Sequence, residues 1–304
     1  MIQQRKAEIP SADGKLTLHL LLVVPEGKIN GIVQVSHGMA EHKERYVPFL
    51  EMLAENGYAA VIHDHRGHGD SVVTKEDYGY FYDDTGTEIV KDLYVVTQYA
   101  KEVFPGVPLY LFGHSMGTLV ARNYLKLHDD AIDKLILCGA PCKNDGAKGG
   151  LLLIKRMEKH RSDRYRVQSV DKLVFGSYNR KFTESRMKNR WICSVPEVVF
   201  QYNRCPKCGF TFTLNGFENL FRLMLSCYDD TGWQVHRPRL PILFLGGGDD
   251  PVIGGGDGFL AQMDFLQKIG YPNVCGKLYG GKRHELLNED IKEQIYQDVL
   301  SFLP

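Results

Sequence analysis

The chain has 304 residues, 43% apolar and 24% charged, which suits one large α/β domain with an inserted piece or two ordinary domains. Lys plus Arg and Asp plus Glu both number 37, so no global positive charge points to a nucleic-acid partner, and none is expected. The opening MIQQRKAEIPSADGKLTL lacks the apolar core of a signal peptide, and LLLVVP is far short of the roughly 18 residues a membrane span needs. A cytoplasmic protein is therefore expected, with its seven cysteines reduced.

In chain order, KLTLHLLLVVP and GIVQVSHG read as strands, and ERYVPFLEMLAENG as a helix with a glycine stop. YAAVIHDHRG reads as a further strand, and TEIVKDLYVVTQYAKEVFPG as a helix with Thr87 as its N-cap. The strand VPLYLFGHS, the helix MGTLVARNYLKLHD and the strand IDKLILCGAP follow. This alternation argues for βαβ units and a mostly parallel sheet flanked by helices. After Pro141 the rhythm breaks, and 142–235 reads as helices and loops without buried-strand runs. It resumes with RLPILFLGGGDDP, a helix near 258–269, the strand NVCGKLYGG and the closing helix NEDIKEQIYQDVLSFL. The expected organisation is an α/β core, 1–141 plus 236–304, interrupted by a mainly helical cap, 142–235.

Charge divides at the same boundary. The cap segment holds 17 Lys and Arg against 9 Asp and Glu, a net of +8, which leaves −8 for the remainder. Its basic residues concentrate in IKRMEKHRSDRYR and NRKFTESRMKNR. They read either as solvated helix faces or as a surface that meets an anionic head group or makes peripheral contact with a membrane.

The chemistry centres on LYLFGHSMGT. Gly113-His114-Ser115-Met116-Gly117 is a G-x-S-x-G nucleophile elbow between a predicted strand and a predicted helix. Small residues two before and two after the serine allow the close backbone approach that a strained turn requires. A serine hydroxyl needs a base, and the base an orienting acid; in this arrangement the chain order is Ser, acid, His. His284, after the last predicted strand, fits as base. The acid should end the strand before it, in GGGDDPVIGGGDG, residues 246–258. That stretch lacks the Lys and Ser/Thr of a phosphate-binding loop and the terminal Glu of an EF-hand calcium loop. Pro251 biases Asp250 toward an extended exit from the strand, which favours it as the acid over Asp249. Asp257 caps or precedes the next helix. The backbone N–H groups of Met116 and Met39 are the expected oxyanion donors.

SHGMAEHKERY, DHRGHGDS, GHSMG, GDDPV and RHELLNE together resemble the monoacylglycerol lipase and lysophospholipase group of α/β-hydrolases, from about residue 30 to the C-terminus. The resemblance implies the α/β-hydrolase fold, a small-molecule ester or lipid substrate, and hydrolysis through an acyl-enzyme on Ser115. It implies no metal and no organic cofactor, and Asp250 falls on the aspartate of the family's D-P-V string. An amidase or aminopeptidase using the same triad is the alternative, with acyl transfer to an alcohol behind it. Haloalkane dehalogenases and epoxide hydrolases need a carboxylate nucleophile where Ser115 stands.

Other clusters invite metals. HDHRGHGD gathers His63, His65, His68, Asp64 and Asp70, with His63 and His65 expected on one face of a strand. The resemblance makes this a recurrent loop shaped by Arg66 and its glycines. CPKCG, with Cys205 and Cys208, looks like half of a zinc knuckle, but the sequence offers no second C-x-x-C or paired histidines to complete it. In the resembling family an acidic residue stands where Cys205 does. Apolar runs in the cap, GLLLI, DKLVFGSY, CGFTFTLNGF and NLFRLML, either line an acyl pocket or pack the cap on the core.

Overall fold

The computed structural model describes residues 2–184 and 186–304. Its strands are β1 (Ile2–Pro10), β2 (Thr17–Pro25), β3 (Gly31–Ser36), β4 (Tyr58–His63), β5 (Leu109–His114), β6 (Lys134–Cys138), β7 (Ile242–Gly247) and β8 (Val274–Tyr279). They form one eight-stranded sheet in the order β1-β2-β4-β3-β5-β6-β7-β8. The β1–β2 and β2–β4 pairs are antiparallel, and every pair from β4 to β8 is parallel.

β3, β4, β5 and β7 are buried along their whole length, as strands covered by helices on both faces must be. Alternate residues enter separate cores. Leu111 and Leu137 face the side covered by α2 (Glu88–Val103), α3 (Met116–His128) and α8 (Gly255–Ile269). Phe112 and Ile136 face α1 (Val47–Glu55) and α9 (Lys292–Phe302). β1 lies ahead of KLTLHLLLVVP, the first strand legible in the sequence. It is an edge strand, with Ile9 its one buried residue among those described, so it carries no apolar alternation.

Thr87 stands at the N-terminus of α2, but in helical dihedrals, and its side chain does not cap the helix. Asp83 Oδ2 accepts the Glu88 N–H instead, at 3.0 Å. Asp257 lies inside the first turn of α8, which begins at Gly255.

Between β6 and β7 lie α4 (Gly146–Glu158), α5 (Gln168–Phe175), α6 (Pro196–Arg204) and α7 (Leu214–Cys227). Thr213 caps α7 by accepting the Gly216 N–H at 3.1 Å. α7 also ties this segment to the loop after β4: the Asn215 and Asn219 amides both donate to the Asp83 carbonyl at 2.7 Å. The Asn215 side-chain Oδ1 accepts the Phe81 N–H at 2.8 Å.

Candidate active site

The parallel strands deliver the expected residues to one end of the sheet, as open α/β sheets do. Ser115 follows β5 directly and opens α3 with φ 51° and ψ −120°, a conformation sparsely populated by residues with a side chain. Its N–H donates to the Cys138 carbonyl at 3.0 Å, and its carbonyl accepts the Thr118 hydroxyl at 2.7 Å. The flanking glycines are sterically required. A Cβ on Gly117 would sit 2.0 Å from the Ser36 carbonyl oxygen, and one on Gly113 would sit 2.8 Å from that of Gly117.

Asp250 follows β7, and its Oδ2 accepts a 2.8 Å hydrogen bond from His284 Nδ1. Its Oδ1 accepts the Val252 N–H at 2.8 Å, which fixes the carboxylate plane. Asp249 turns outward and pairs with Lys181 at 2.6 Å. Gly247 lets the β7 exit approach the histidine loop, since a Cβ there would lie 2.2 Å from the Arg283 carbonyl oxygen. Ser115 and His284 border the same cavity without a hydrogen bond between their side chains. The Met39 and Met116 residues border it too, and neither backbone N–H has a hydrogen-bond partner among the described residues. Much of the remaining wall is apolar, including Leu119, Val174, Phe175, Phe221 and Met224, with Trp191 packed 5.0 Å from the His284 ring; Asn144, Asp171 and Asn189 line it too.

Sequence reasoning missed a polar network behind the site. Glu41 Oε1 accepts the Gly38 N–H at 2.5 Å and the Tyr46 hydroxyl at 2.8 Å, and lies 3.1 Å from His114 Nδ1. Arg45 joins Glu41 at 2.6 Å and grips Glu285 at 2.7 and 2.6 Å. Burial opposes ionisation of Glu41, but His114 and Arg45 hold its carboxyl well below the ordinary range. Burial likewise opposes charging of His114, and Glu41 overrides it to raise the imidazole pKa. These residues sit inside the strings SHGMAEHKERY, GHSMG and RHELLNE. Their partners are up to 240 positions apart, so spacing alone could not pair them.

On the other flank of the same loop lies a neutral histidine cluster. The His37 and His65 ring centroids are 4.4 Å apart, those of His63 and His65 4.6 Å, and those of His37 and His68 5.3 Å. His37 Nδ1 donates to the Gly38 carbonyl at 2.8 Å, while its Nε2 accepts the His65 N–H at 2.9 Å. Burial depresses His37 to about 4 and both His63 and His68 to about 3. Asp64 and Asp70 are engaged by Lys43, at 2.5 and 2.7 Å. Arg66 shapes the loop by binding buried Asp92 at 2.7 Å and the Phe81 carbonyl at 3.1 Å.

Known proteins resemble this chain along nearly its whole length. Residues 27–291 match the family described as Hydrolase_4, serine aminopeptidase S33. A monoglyceride lipase homolog of monkeypox virus is 36% identical over 280 residues, 90% of this chain and 88% of its own. A monoacylglycerol lipase of Mycolicibacterium smegmatis is 23% identical over 92% of this chain and 90% of its own. Among solved structures, a thermostable carboxyl esterase from Bacillus coagulans, in complex with glycerol, superposes with a TM-score of 0.91. It is 27% identical, and the alignment covers 98% of this chain and 97% of that one. The chain therefore belongs to the Hydrolase_4 family of α/β-hydrolases, within its monoglyceride lipase and lysophospholipase group.

Proposed function

We propose that the protein is a serine hydrolase that cleaves carboxylic esters of monoacylglycerol- or lysophospholipid-like lipids through an acyl-enzyme on Ser115. The observation that carries this reading is the His284–Asp250 pair, bonded at 2.8 Å, at a cavity that Ser115 also borders and whose lining is rich in apolar side chains. The relatives named as monoglyceride lipases support the substrate class.

In this reading Ser115 Oγ attacks the ester carbonyl while its proton passes to His284 Nε2. Asp250 holds the Nδ1–H tautomer and stabilises the imidazolium that forms. Without substrate the serine–histidine hydrogen bond is commonly long, and it tightens in the reactive complex. The Met39 and Met116 N–H groups receive the oxyanion, each such donor being worth about 3 kcal/mol of the barrier. His284 returns the proton to the leaving alcohol, and water then repeats the sequence on the acyl-enzyme.

Residues 142–235 act as the cap that selects the substrate. Its outer surface combines exposed Leu152 and Leu173, each 72% accessible, with exposed Lys148, Arg156 and Lys159. Apolar and basic groups on one surface suit peripheral contact with an anionic lipid layer. No helix among the described residues is long and apolar enough to cross a membrane. A cytoplasmic location belongs to the same reading, and all seven cysteines are free.

The test is a panel of p-nitrophenyl esters of graded chain length, monoacylglycerols, lysophospholipids and aminoacyl arylamides. Ester turnover that rises with acyl length and disappears in Ser115→Ala is expected, with the acyl adduct on Ser115 visible by mass spectrometry. Preferred cleavage of the arylamides would replace this reading with the aminopeptidase one. Reversing Lys148, Arg156 and Lys159 to glutamate should weaken binding to anionic vesicles, and unchanged binding would remove the membrane contact.

A further inference from the structure

The half knuckle CPKCG acquires its missing partner from a distant part of the chain. His42, 163 positions before Cys205, places Nε2 at 3.3 Å from Cys205 Sγ. The His42 Nε2, Cys205 Sγ and Cys208 Sγ atoms all lie within 4.8 Å of one another. From these residues we propose a zinc-class metal site with ligands His42, Cys205 and Cys208, built between the loop after β3 and the loop after α6.

Geometry supports the assignment first. Tetrahedral zinc bonds sulfur at about 2.3 Å and imidazole nitrogen at about 2.0 Å, which separates ligand atoms by roughly 3.5–3.8 Å. The 3.3 Å from His42 to Cys205 is within a few tenths of that spacing.

The surroundings match a metal site as well. The knuckle turn is formed: the Cys208 N–H donates to the Cys205 carbonyl at 3.0 Å, and Gly209 follows with φ 63°. On the far side of the imidazole, His42 Nδ1 donates to Glu44 Oε2 at 2.6 Å. A carboxylate there fixes the tautomer and leaves the Nε2 lone pair facing the sulfurs, as in carboxylate–histidine–zinc triads. Three protein ligands leave a fourth position; a cleft lined by His42, Cys205, Glu197 and Gln201 adjoins the cluster, so water can fill it.

The other clusters of metal-binding residue types are weaker. Glu44, Asp64 and Asp70 already surround the Lys43 ammonium. Asp129 accepts bonds from Tyr271 and from the His236 and Arg237 N–H groups.

The position suggests what the metal does. Gly209 N–H and the Tyr202 hydroxyl both donate to the Ala40 carbonyl, at 2.9 and 3.1 Å. Ala40 adjoins Met39. A metal bridging His42 to Cys205 and Cys208 therefore clamps the segment after α6 onto the loop that borders the cavity. Binding releases the thiol protons to solvent and adds to the stability of the folded form. The inference does not depend on which bond the enzyme cleaves.

Cobalt(II) titration of the whole chain, stripped of metal and kept reduced, tests it. The expected result is sulfur-to-cobalt charge transfer and tetrahedral d–d absorption that saturate at one cobalt per chain and vanish when zinc is added. Cys205→Ser and Cys208→Ser should lose the charge-transfer band, and Cys275→Ser, on β8, should keep it. Glu44→Gln should weaken cobalt affinity on the order of 10–100-fold with the band shape retained. Zinc should raise the melting temperature of the wild-type protein, and a chelator should reverse the rise. A wild-type titration with no charge-transfer band overturns the proposal, whatever the variants do. So does a band of equal intensity in Cys205→Ser.

Discussion

The strand ends and the inserted helices border one cavity, yet they are built differently. On the sheet side, backbone does the positioning. Ser115 is held in a left-handed turn, and Gly117 and Gly247 occupy places where a Cβ would come within 2.0 and 2.2 Å of carbonyl oxygens. Asp250 and His284 are each 3% exposed. On the inserted side, short helices and loops contribute side chains such as Val174, Phe175, Phe221 and Met224. A backbone-defined geometry has no graded alternatives, whereas a wall of apolar side chains can be resized. Substitutions at strand ends should therefore remove rate, and substitutions in the inserted wall should redirect it.

The sharpest break is Ser115→Ala, for which kcat should fall by about 10⁵–10⁶-fold. Asp250→Asn should cost about 10⁴-fold, because an amide presents the wrong partner to the His284 Nδ1–H. Single-turnover kinetics on a soluble ester checks both. An Asp250→Asn enzyme within tenfold of wild type would remove Asp250 from the triad.

Within the sheet side itself, the histidines around the loop after β3 form a second contrast. His37, His63 and His68 are neutral in the fold, with pKa values of about 4, 3 and 3. Unfolded histidine titrates near 6.5, so below that pH the unfolded chain binds more protons than the native one. Stability must then fall as pH drops from about 6.5 toward 4, by up to about 1.4 kcal/mol per pH unit for each histidine. His114 runs the other way: its raised pKa gives stabilisation that is complete below 6.5 and is lost as pH rises through the folded value. Urea midpoints at pH 7, 6 and 5 should decline with acidification. Both ring nitrogens of His63 are buried without partners among the described residues, so His63→Leu should flatten the slope by about one proton. A flat wild-type profile would show that these rings charge inside the fold.

Local signals carried much of this into the sequence. Buried strands such as YAAVIH and LYLFGH announce themselves by unbroken apolar runs, and the chain order of Ser115, Asp250 and His284 anticipates an arrangement in which Ser115 and His284 border one cavity and Asp250 bonds His284. Charge at the N-terminus hid β1, whose Gln3 to Lys6 face solvent at the sheet edge. Thr87 has the right residue type for a cap, but Asp83, at the start of the preceding turn, makes the bond. Contacts that close only in three dimensions left no spacing signature. Arg45 finds Glu285 from 240 positions away, and His42 finds Cys205 from 163.

On the inserted side, Phe221→Ala enlarges the cavity wall without touching Ser115, Asp250 or His284. Its effect should appear as a change in chain-length preference. The ratio of long-chain to short-chain kcat/KM should drop on the order of tenfold, in line with the 1–3 kcal/mol that a pocket methylene can discriminate. Short-chain turnover should stay near wild type. Equal losses on every substrate would mean that this wall supports the catalytic geometry and that the division of labour is false.

The smallest effect expected is at Asp249, and it isolates the comparison to adjacent carboxylates. Both follow β7, and both are aspartates, so composition and position in the sequence barely separate them. Their surroundings do. Asp250 is buried against His284, whereas the Asp249 side chain is 39% exposed and its partner Lys181 61% exposed. An exposed pair of this kind contributes about 0–1 kcal/mol to stability. It also joins the β7 exit to the inserted segment, so it reports on whether that tether matters. Asp249→Asn should leave kcat within about twofold and shift the urea midpoint slightly, within the range of a surface ion pair. If Asp249→Asn instead matched Asp250→Asn in its loss of kcat, the acid would lie one residue earlier and the loop would have to turn over on binding substrate.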